Sequence, residues 1–316
     1  MSEQQGREVF GDRRRFLRVC AGVAVMAAAR CAPAAGSGAA PSAGGSAMKK
    51  AVCHYSFHRR YAAEKWTPDR LAREVKALGI EGIDYHSRFL GTMDGMAEQV
   101  TAAVAGHGLV LSSLSLSTNF NRPKADDLKA EIETTRQWIR FAAKVKAPVS
   151  RVFGGGLGAA DRKDDASRKA AWQRMLDGLA AVTKEAEACG LVLGLENHGG
   201  LPCTAEEQID AIKTIGSPAL RATVDVGNYM QGGEEGHVAT ALVAPYAAYV
   251  HFKDNKREGG KIVPCVLGEG VVNLAACIEA LKKAGYKGFV GLEYEGTEDE
   301  ATGVPKSVEA LKRLVK

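Results

Sequence analysis

The sequence predicts an α/β protein closed into a single (β/α)8 barrel. Strand and helix signals alternate strictly, eight of each, between residues 51 and 315, close to the ~250 residues that an eightfold barrel takes. The strand signals are short apolar runs without in–out alternation, as expected of parallel strands covered on both faces. The first strand signal leads into no Gly-x-Gly-x-x-Gly fingerprint, which an open, doubly wound dinucleotide-binding sheet would want at that turn.

Each element follows from its residues. Ala51–Phe57 reads as the first strand, and Thr67–Leu78 as an amphipathic helix with Thr67 as cap and Pro68 in its first turn. Gly82–His86 is a short strand, Met93–Gly106 a helix and Leu109–Leu116 a strand. Asp126–Val145 is a long helix ended by Ala147-Pro148, and Val149–Phe153 is a strand opening into a Gly-rich run at 154–158. That run lacks Gly-Lys-Ser/Thr, so it is no phosphate-cradling P-loop; it is expected to keep side chains clear of a substrate. Asp165–Cys189 is a helix closed by Gly190, and Leu191–Glu196 the most apolar strand. Thr204–Ile215 is a capped helix with Gly216 behind it, followed by a strand at Ala222–Asp225. Val238–Val243 begins a helix that Pro245 ends. Tyr249–Phe252 is a strand, Leu274–Ala284 a helix, Phe289–Glu293 the last strand, and Pro305–Val315 the closing helix.

The 316 residues are 46% apolar and 25% charged, globular values. Of the net charge of +5, the first 34 residues hold +3, from six Arg against three acids. The remainder is too balanced for a nucleic-acid surface, and no apolar run approaches the length of a membrane span. Asp12-Arg13-Arg14-Arg15-Phe16-Leu17-Arg18, with the apolar Val19–Ala29 behind it, resembles the twin-arginine export signal. That likeness implies the twin-arginine export machinery as a partner and a periplasmic destination. Cys31 is a poorer lipoprotein site because Arg30 breaks the small-residue pattern before it. The expected organisation is a signal peptide over 1–34, a flexible Ala/Gly/Ser/Pro-rich linker over 35–48 and one barrel over 49–316. Seven cysteines, none in a Cys-x-x-Cys pair, point away from a zinc ribbon or a disulfide framework.

The chemistry gathers at the strand ends. Leu191-Val-Leu-Gly-Leu-Glu196-Asn197-His198 drives a carboxylate out of an apolar strand, an arrangement that calls for a compensating cation or substrate. Three later strands repeat the design with Asp225, His251 and Glu293. In such barrels these four ends converge on one rim. Three carboxylates and one imidazole suit one divalent ion, Mn²⁺ foremost, with Mg²⁺, Co²⁺ or Zn²⁺ as alternatives.

Glu196-Asn197-His198, Asp225-Val226-Gly227-Asn228, His251-Phe252-Lys253-Asp254 and Gly291-Leu292-Glu293 resemble the xylose-isomerase-like TIM barrels, the sugar-phosphate isomerases, ketose epimerases and inosose dehydratases among them. The likeness covers most of residues 50–316 and is strongest in the second half. It implies Glu196, Asp225, His251 and Glu293 as ligands to one metal ion, with Glu196 and Glu293 also moving the substrate proton. Glu295 lies on the same strand face as Glu293 and shares that candidacy. Where ketose epimerases commonly place a His, this chain has Asn228, which can hydrogen-bond a sugar hydroxyl but cannot carry a proton. The related apurinic endonucleases need many histidines for three zinc ions, and only seven are present.

A proton beside a carbonyl leaves only if the resulting enediolate is stabilised, which a divalent Lewis acid provides, with a base on one side and an acid on the other. The expected activity is isomerisation or epimerisation of a small-molecule carbohydrate. The alternatives are a lyase acting on a keto-sugar or inosose through the same proton abstraction, and a non-catalytic sugar-binding barrel. A phosphorylated substrate fits an exported enzyme less well. His198, Asn228, Lys253 and Arg151 are candidate substrate contacts; a rim role for His198 and an ion pair for Lys253 stay open. Asp254 should face away and be structural. His54, His58, Asp84 and His86 near the first two strand ends could set specificity, with loop positions of no role as the default reading. Self-association into a homo-oligomer is compatible with such a barrel.

Overall fold

The computed structural model describes residues 47–316. The signal and linker expected over 1–34 and 35–48 lie outside the described residues, apart from 47 and 48. Eight parallel strands form the barrel: β1 Lys49–Cys53, β2 Gly82–His86, β3 Val110–Ser115, β4 Val149–Phe153, β5 Val192–Glu196, β6 Leu220–Asp225, β7 Ala247–Phe252 and, after a hairpin of β8 Asp254–Glu258 with β9 Lys261–Cys265, β10 Phe289–Leu292. The hydrogen-bonded order is β3-β2-β1-β10-β7-β6-β5-β4. The two ends of that sheet meet through single bonds rather than a ladder. The Leu116 N–H donates to Arg151 O at 2.8 Å, and the Thr118 hydroxyl both donates to Phe153 O at 2.7 Å and accepts from Phe153 N–H at 2.8 Å.

Eight longer helices surround the strands: α1 Pro68–Ala77, α2 Met96–Gly106, α3 Ala125–Lys144, α4 Asp165–Cys189, α5 Ala205–Ile215, α6 Gly236–Val243, α7 Leu274–Lys283 and α8 Glu300–Leu314. Their starts obey the local chemistry. The hydroxyls of Thr67 and Thr204 and the carboxylates of Asp164 and Asp299 accept first-turn N–H groups, and glycines at 190 and 216 take the left-handed conformation that closes α4 and α5. Among the described residues no helix is long and apolar enough to cross a membrane.

Register decides which side chains line the barrel. Pairing of Ala51 with Gly82 and Gly291, and of Gly291 with His251, puts these residues on one face. The floor of the interior is Ala51, Val149, Tyr249 and Phe289. Glycine makes room for its rings: a Cβ on Gly291 would come 2.6 Å from the Tyr249 hydroxyl. Further along the strands the lining turns polar, Arg151 and His251 standing two residues beyond Val149 and Tyr249, with Asp84, Glu196 and Asp225 buried beside them.

Three expectations change. The first strand is Lys49–Cys53 and not Ala51–Phe57, because 54–57 turn as a 3-10 helix that packs the His54 ring among Tyr61, Tyr85 and Phe89. The last helix begins at Glu300 and contains Pro305 instead of starting there. Asp299 caps it, and the buried Glu300 carboxylate accepts the backbone N–H groups of Arg59 and Arg60 at 2.9 and 2.8 Å, tertiary bonds that outweigh the proline signal. The β8–β9 hairpin was not expected from the pattern: its tip at residues 257–260 is exposed and needs no apolar periodicity.

Candidate metal centre

Glu196 ends β5 with its carboxylate inside the barrel. Oε1 stands 2.6 Å from His251 Nδ1, while Oε2 makes no hydrogen bond and has the Arg151 Nη1 at 3.6 Å. Asp225 ends β6 in an Asx turn: Oδ1 accepts the N–H groups of Gly227 and Asn228, both at 2.9 Å. That turn directs Oδ2 at the site, where it has no hydrogen bond and only the Lys253 ammonium at 3.2 Å. Asn197 locks the two strand ends together. Its amide donates to Asp225 O at 3.0 Å and accepts from Asp225 N–H at 3.1 Å. Glu293 directly follows β10; its N–H donates to Phe252 O at 3.0 Å, and its Oε2 pairs with Lys253 Nζ at 2.8 Å.

One ligand atom each from Glu196, Asp225, His251 and Glu293 can be chosen so that all lie within 4.8 Å of one another, and all four residues are buried. Glu295 stands apart from that group, with 27% of its side chain exposed and an ion pair to Lys253 at 3.2 Å.

Burial pushes the Asp225 carboxyl up to about 8, with Lys253 opposing and the charges of Glu196 and Glu293 adding to the rise. Burial also penalises ionised Glu293 and Glu196, yet both stay low. Lys253, then His251 and Arg151, outweigh it for Glu293, and Arg151, then His251, for Glu196. His251 is held well above the usual imidazole range despite its burial, by Glu293 and Glu196. The cluster is thus a buried set of carboxyl oxygens, two of them unbonded, in which neighbouring cations keep Glu196 and Glu293 ionised while burial holds Asp225 up. The donor set fits one divalent cation of the kind that takes carboxylate and imidazole together.

The expected substrate contacts fall around this group. Arg151, 1% exposed, stacks its guanidinium 3.8 Å from the Phe153 ring centre, with Nε and Nη1 lacking hydrogen bonds. The exposed His198 ring lies over the same phenyl group at 4.0 Å. Asn228 presents a buried, unbonded Nδ2, its Oδ1 being taken by Gln231. Lys253 stands among three carboxylates, so the ion-paired alternative describes it. Asp254 does face away, and accepts the N–H groups of Gly268, Gly270 and Val272. The Gly-rich run has a structural reason: the backbone of Gly155 bridges that of Leu201, in bonds of 3.1 and 2.8 Å, and side chains at Gly154 or Gly200 would fill the gap.

Two residues passed over in the sequence belong to the site's surroundings. Asp84, in the middle of β2, accepts Ser115 N–H and Oγ–H at 3.0 and 2.8 Å and lies 3.1 Å from His251 Nε2. The Cys53 thiol is 3.8 Å from Glu293 Oε1 and groups with Asp84 and His251. The available signal for Asp84 was parity: it stands two residues before His86, on the strand face that turns inward.

The sequence and the fold both have relatives. A family model for the xylose isomerase-like TIM barrel matches residues 72–314. An L-ribulose-5-phosphate 3-epimerase of Shigella flexneri is 27% identical over 265 residues, covering 79% of this chain and 90% of the relative. Two solved structures share the fold: an Escherichia coli 3-keto-D-glucoside 4-epimerase, at a TM-score of 0.71 and 18% identity over 84% of this chain and 99% of the other, and a D-psicose 3-epimerase of Clostridium cellulolyticum H10, at 0.69 and 19% over 84% and 98%.

Proposed function

The chain belongs to the xylose isomerase-like TIM barrel family, and from that premise we propose that it is a divalent-metal-dependent isomerase or epimerase of a carbohydrate. The observation that carries this reading is the meeting of Glu196, Asp225, His251 and Glu293 ligand atoms within 4.8 Å, at the strand ends where this fold places its chemistry. These four residues would hold one ion, Mn²⁺ foremost. When bound, the ion supplies Lewis-acid stabilisation of the negative charge that develops as a proton leaves carbon beside a carbonyl.

The chain's own groups do the rest. Glu196, kept ionised by Arg151 and His251 against the cost of burial, takes the proton at Oε2, its unbonded oxygen. Glu293, just after β10, is ionised in the resting site; once it has taken a proton from solvent, it delivers that proton to the carbanion from the other side. Return to the same carbon inverts it; return to the neighbouring carbon shifts the carbonyl. The unbonded donors of Arg151 and Asn228 bind substrate oxygens, His198 over Phe153 meets a hydroxyl at the rim, and Lys253 holds the Asp225 and Glu293 carboxylates in place through its ion pairs. The twin-arginine likeness of residues 12–18 supports delivery to the periplasm.

A panel of keto-sugars is incubated with Mn²⁺-loaded protein in D₂O and read by NMR and mass spectrometry. One substrate is expected to gain solvent deuterium at a single carbon with its skeleton intact. Glu196→Gln should lower that exchange by about 10²–10⁴-fold with an unchanged far-UV spectrum. Loss of water mass would instead assign a lyase, and tight sugar binding without deuterium a non-catalytic barrel.

A further inference from the structure

We propose that Asp84 is a positioning residue that fixes the tautomer and orientation of His251, so that the imidazole presents its Nδ1 lone pair to the metal centre. The proposal rests on the metal reading above and adds to it a residue from the opposite wall of the barrel. His251 lies between two carboxylates, with Glu196 Oε1 2.6 Å from Nδ1 and Asp84 Oδ2 3.1 Å from Nε2. Both acids and the ring are fully buried, so water cannot stand in for either partner.

The hydrogen-bond inventory around Asp84 keeps a proton on Nε2. An ionised carboxylate only accepts. Oδ1 accepts the Ser115 backbone N–H, and Oδ2 accepts the Ser115 hydroxyl. The remaining neighbour of Oδ2, His251 Nε2, satisfies the same rule as an N–H donor. Glu196 Oε1, 2.6 Å from Nδ1, makes the same demand there while no ion is bound; a bound ion would displace that proton, and Asp84 holds the one on Nε2, which leaves Nδ1 as the coordinating atom on the side of the other ligands. The Cys53 thiol also faces this imidazole but is a weak donor and acceptor, so it cannot impose a tautomer. An imidazole ligand generally needs such a partner for its other nitrogen, and removing it typically costs 10–100-fold in metal affinity.

An isosteric change tests this in a way that packing cannot imitate. In Asp84→Asn the carboxamide oxygen must stay on the Ser115 N–H. Its NH₂ then faces Nε2, which becomes an acceptor and moves the ring proton to Nδ1, the nitrogen needed as ligand. Asp84→Ala removes the partner without inverting it. Metal-free wild type, Asp84→Asn and Asp84→Ala are titrated with Mn²⁺ by calorimetry, with far-UV spectra as a check of folding. Asp84→Asn is expected to bind about 10–100-fold more weakly, and Asp84→Ala to lose less. In the Zn²⁺-loaded protein, long-range ¹⁵N correlation spectra should show His251 protonated at Nε2 in wild type.

Wild type that takes up no divalent ion sinks the metal centre itself. Wild type that binds while Asp84→Asn matches it within twofold overturns the role of Asp84 and leaves the centre standing. So would Asp84→Ala proving worse than Asp84→Asn, the order that loss of packing predicts. A sulfur ligand in the X-ray absorption spectrum would place the ion in the Cys53–Asp84–His251 group and also overturn the assignment. Should Asp84→Asn fail to fold, Ser115→Ala, which strips one donor from Asp84 without touching His251, is expected to weaken Mn²⁺ binding several-fold; unchanged binding counts against the proposal.

Discussion

At the scale of single residues, Lys253 is the most informative side chain. Its ammonium is 3% exposed and faces Asp225, Glu293 and Glu295 at 3.2, 2.8 and 3.2 Å. A buried cation removed from its partners leaves uncompensated charge, at a cost of about 3–5 kcal/mol. Lys253→Met is therefore expected to lose roughly that much stability without metal. Urea unfolding with and without Mn²⁺ checks this, and the deficit should shrink when the ion takes over the compensation. Spacing alone placed Lys253 on the face of His251, but an ion pair and a substrate contact look alike in a sequence. The same limit hid Asp84, whose meaning depends on β7, far away in the chain.

At the scale of elements, the strand ends carry the site and the strand middles carry the register. Gly291 in β10 admits the Tyr249 ring of β7: a Cβ there would lie 2.6 Å from the hydroxyl but 3.2 Å from the ring carbon bearing it. Gly291→Ala is expected to cost about 1–3 kcal/mol by overpacking. Tyr249→Phe removes the clashing oxygen, so the double variant should be more stable than the sum of the single losses predicts, a coupling that a chemical-denaturation cycle measures. Strands β2 and β4–β7 were legible because double-sided burial selects continuous apolar runs. The start of α8 and the β8–β9 hairpin were not. The first depends on Glu300 meeting Arg59 and Arg60 across the fold, and the second has an exposed tip with no periodicity to read.

For the whole molecule, barrel closure gathers acids that are far apart in the chain into one buried cluster that could hold a cation. Binding of an ion to the folded state alone stabilises it by about 2.7 kcal/mol at a hundredfold excess over Kd, so Mn²⁺ should raise the melting temperature and EDTA reverse the rise. Ligands bind metal in their deprotonated form. Burial raises the Asp225 carboxyl to about 8, so below that pH the ion must displace a proton. His251, also held above its usual range, must likewise give up a proton, so affinity for Mn²⁺ is expected to increase steadily as pH rises from about 6 to about 8.5. A melting series across that range that stays flat, or slopes the other way, would contradict this assignment of Asp225.

The amino-acid order by itself determined the eightfold alternation and the four candidate residues at the strand ends, because local propensity and double-sided burial leave their record in contiguous residues. Tertiary structure alone decided that Glu293 joins the cluster of Glu196, Asp225 and His251 while Glu295 stays apart, and that Lys253 is paired. It also set Asp84 against His251. Those outcomes depend on distances between strands remote in sequence, and such distances exist only once the sheet has curled and its register has been set.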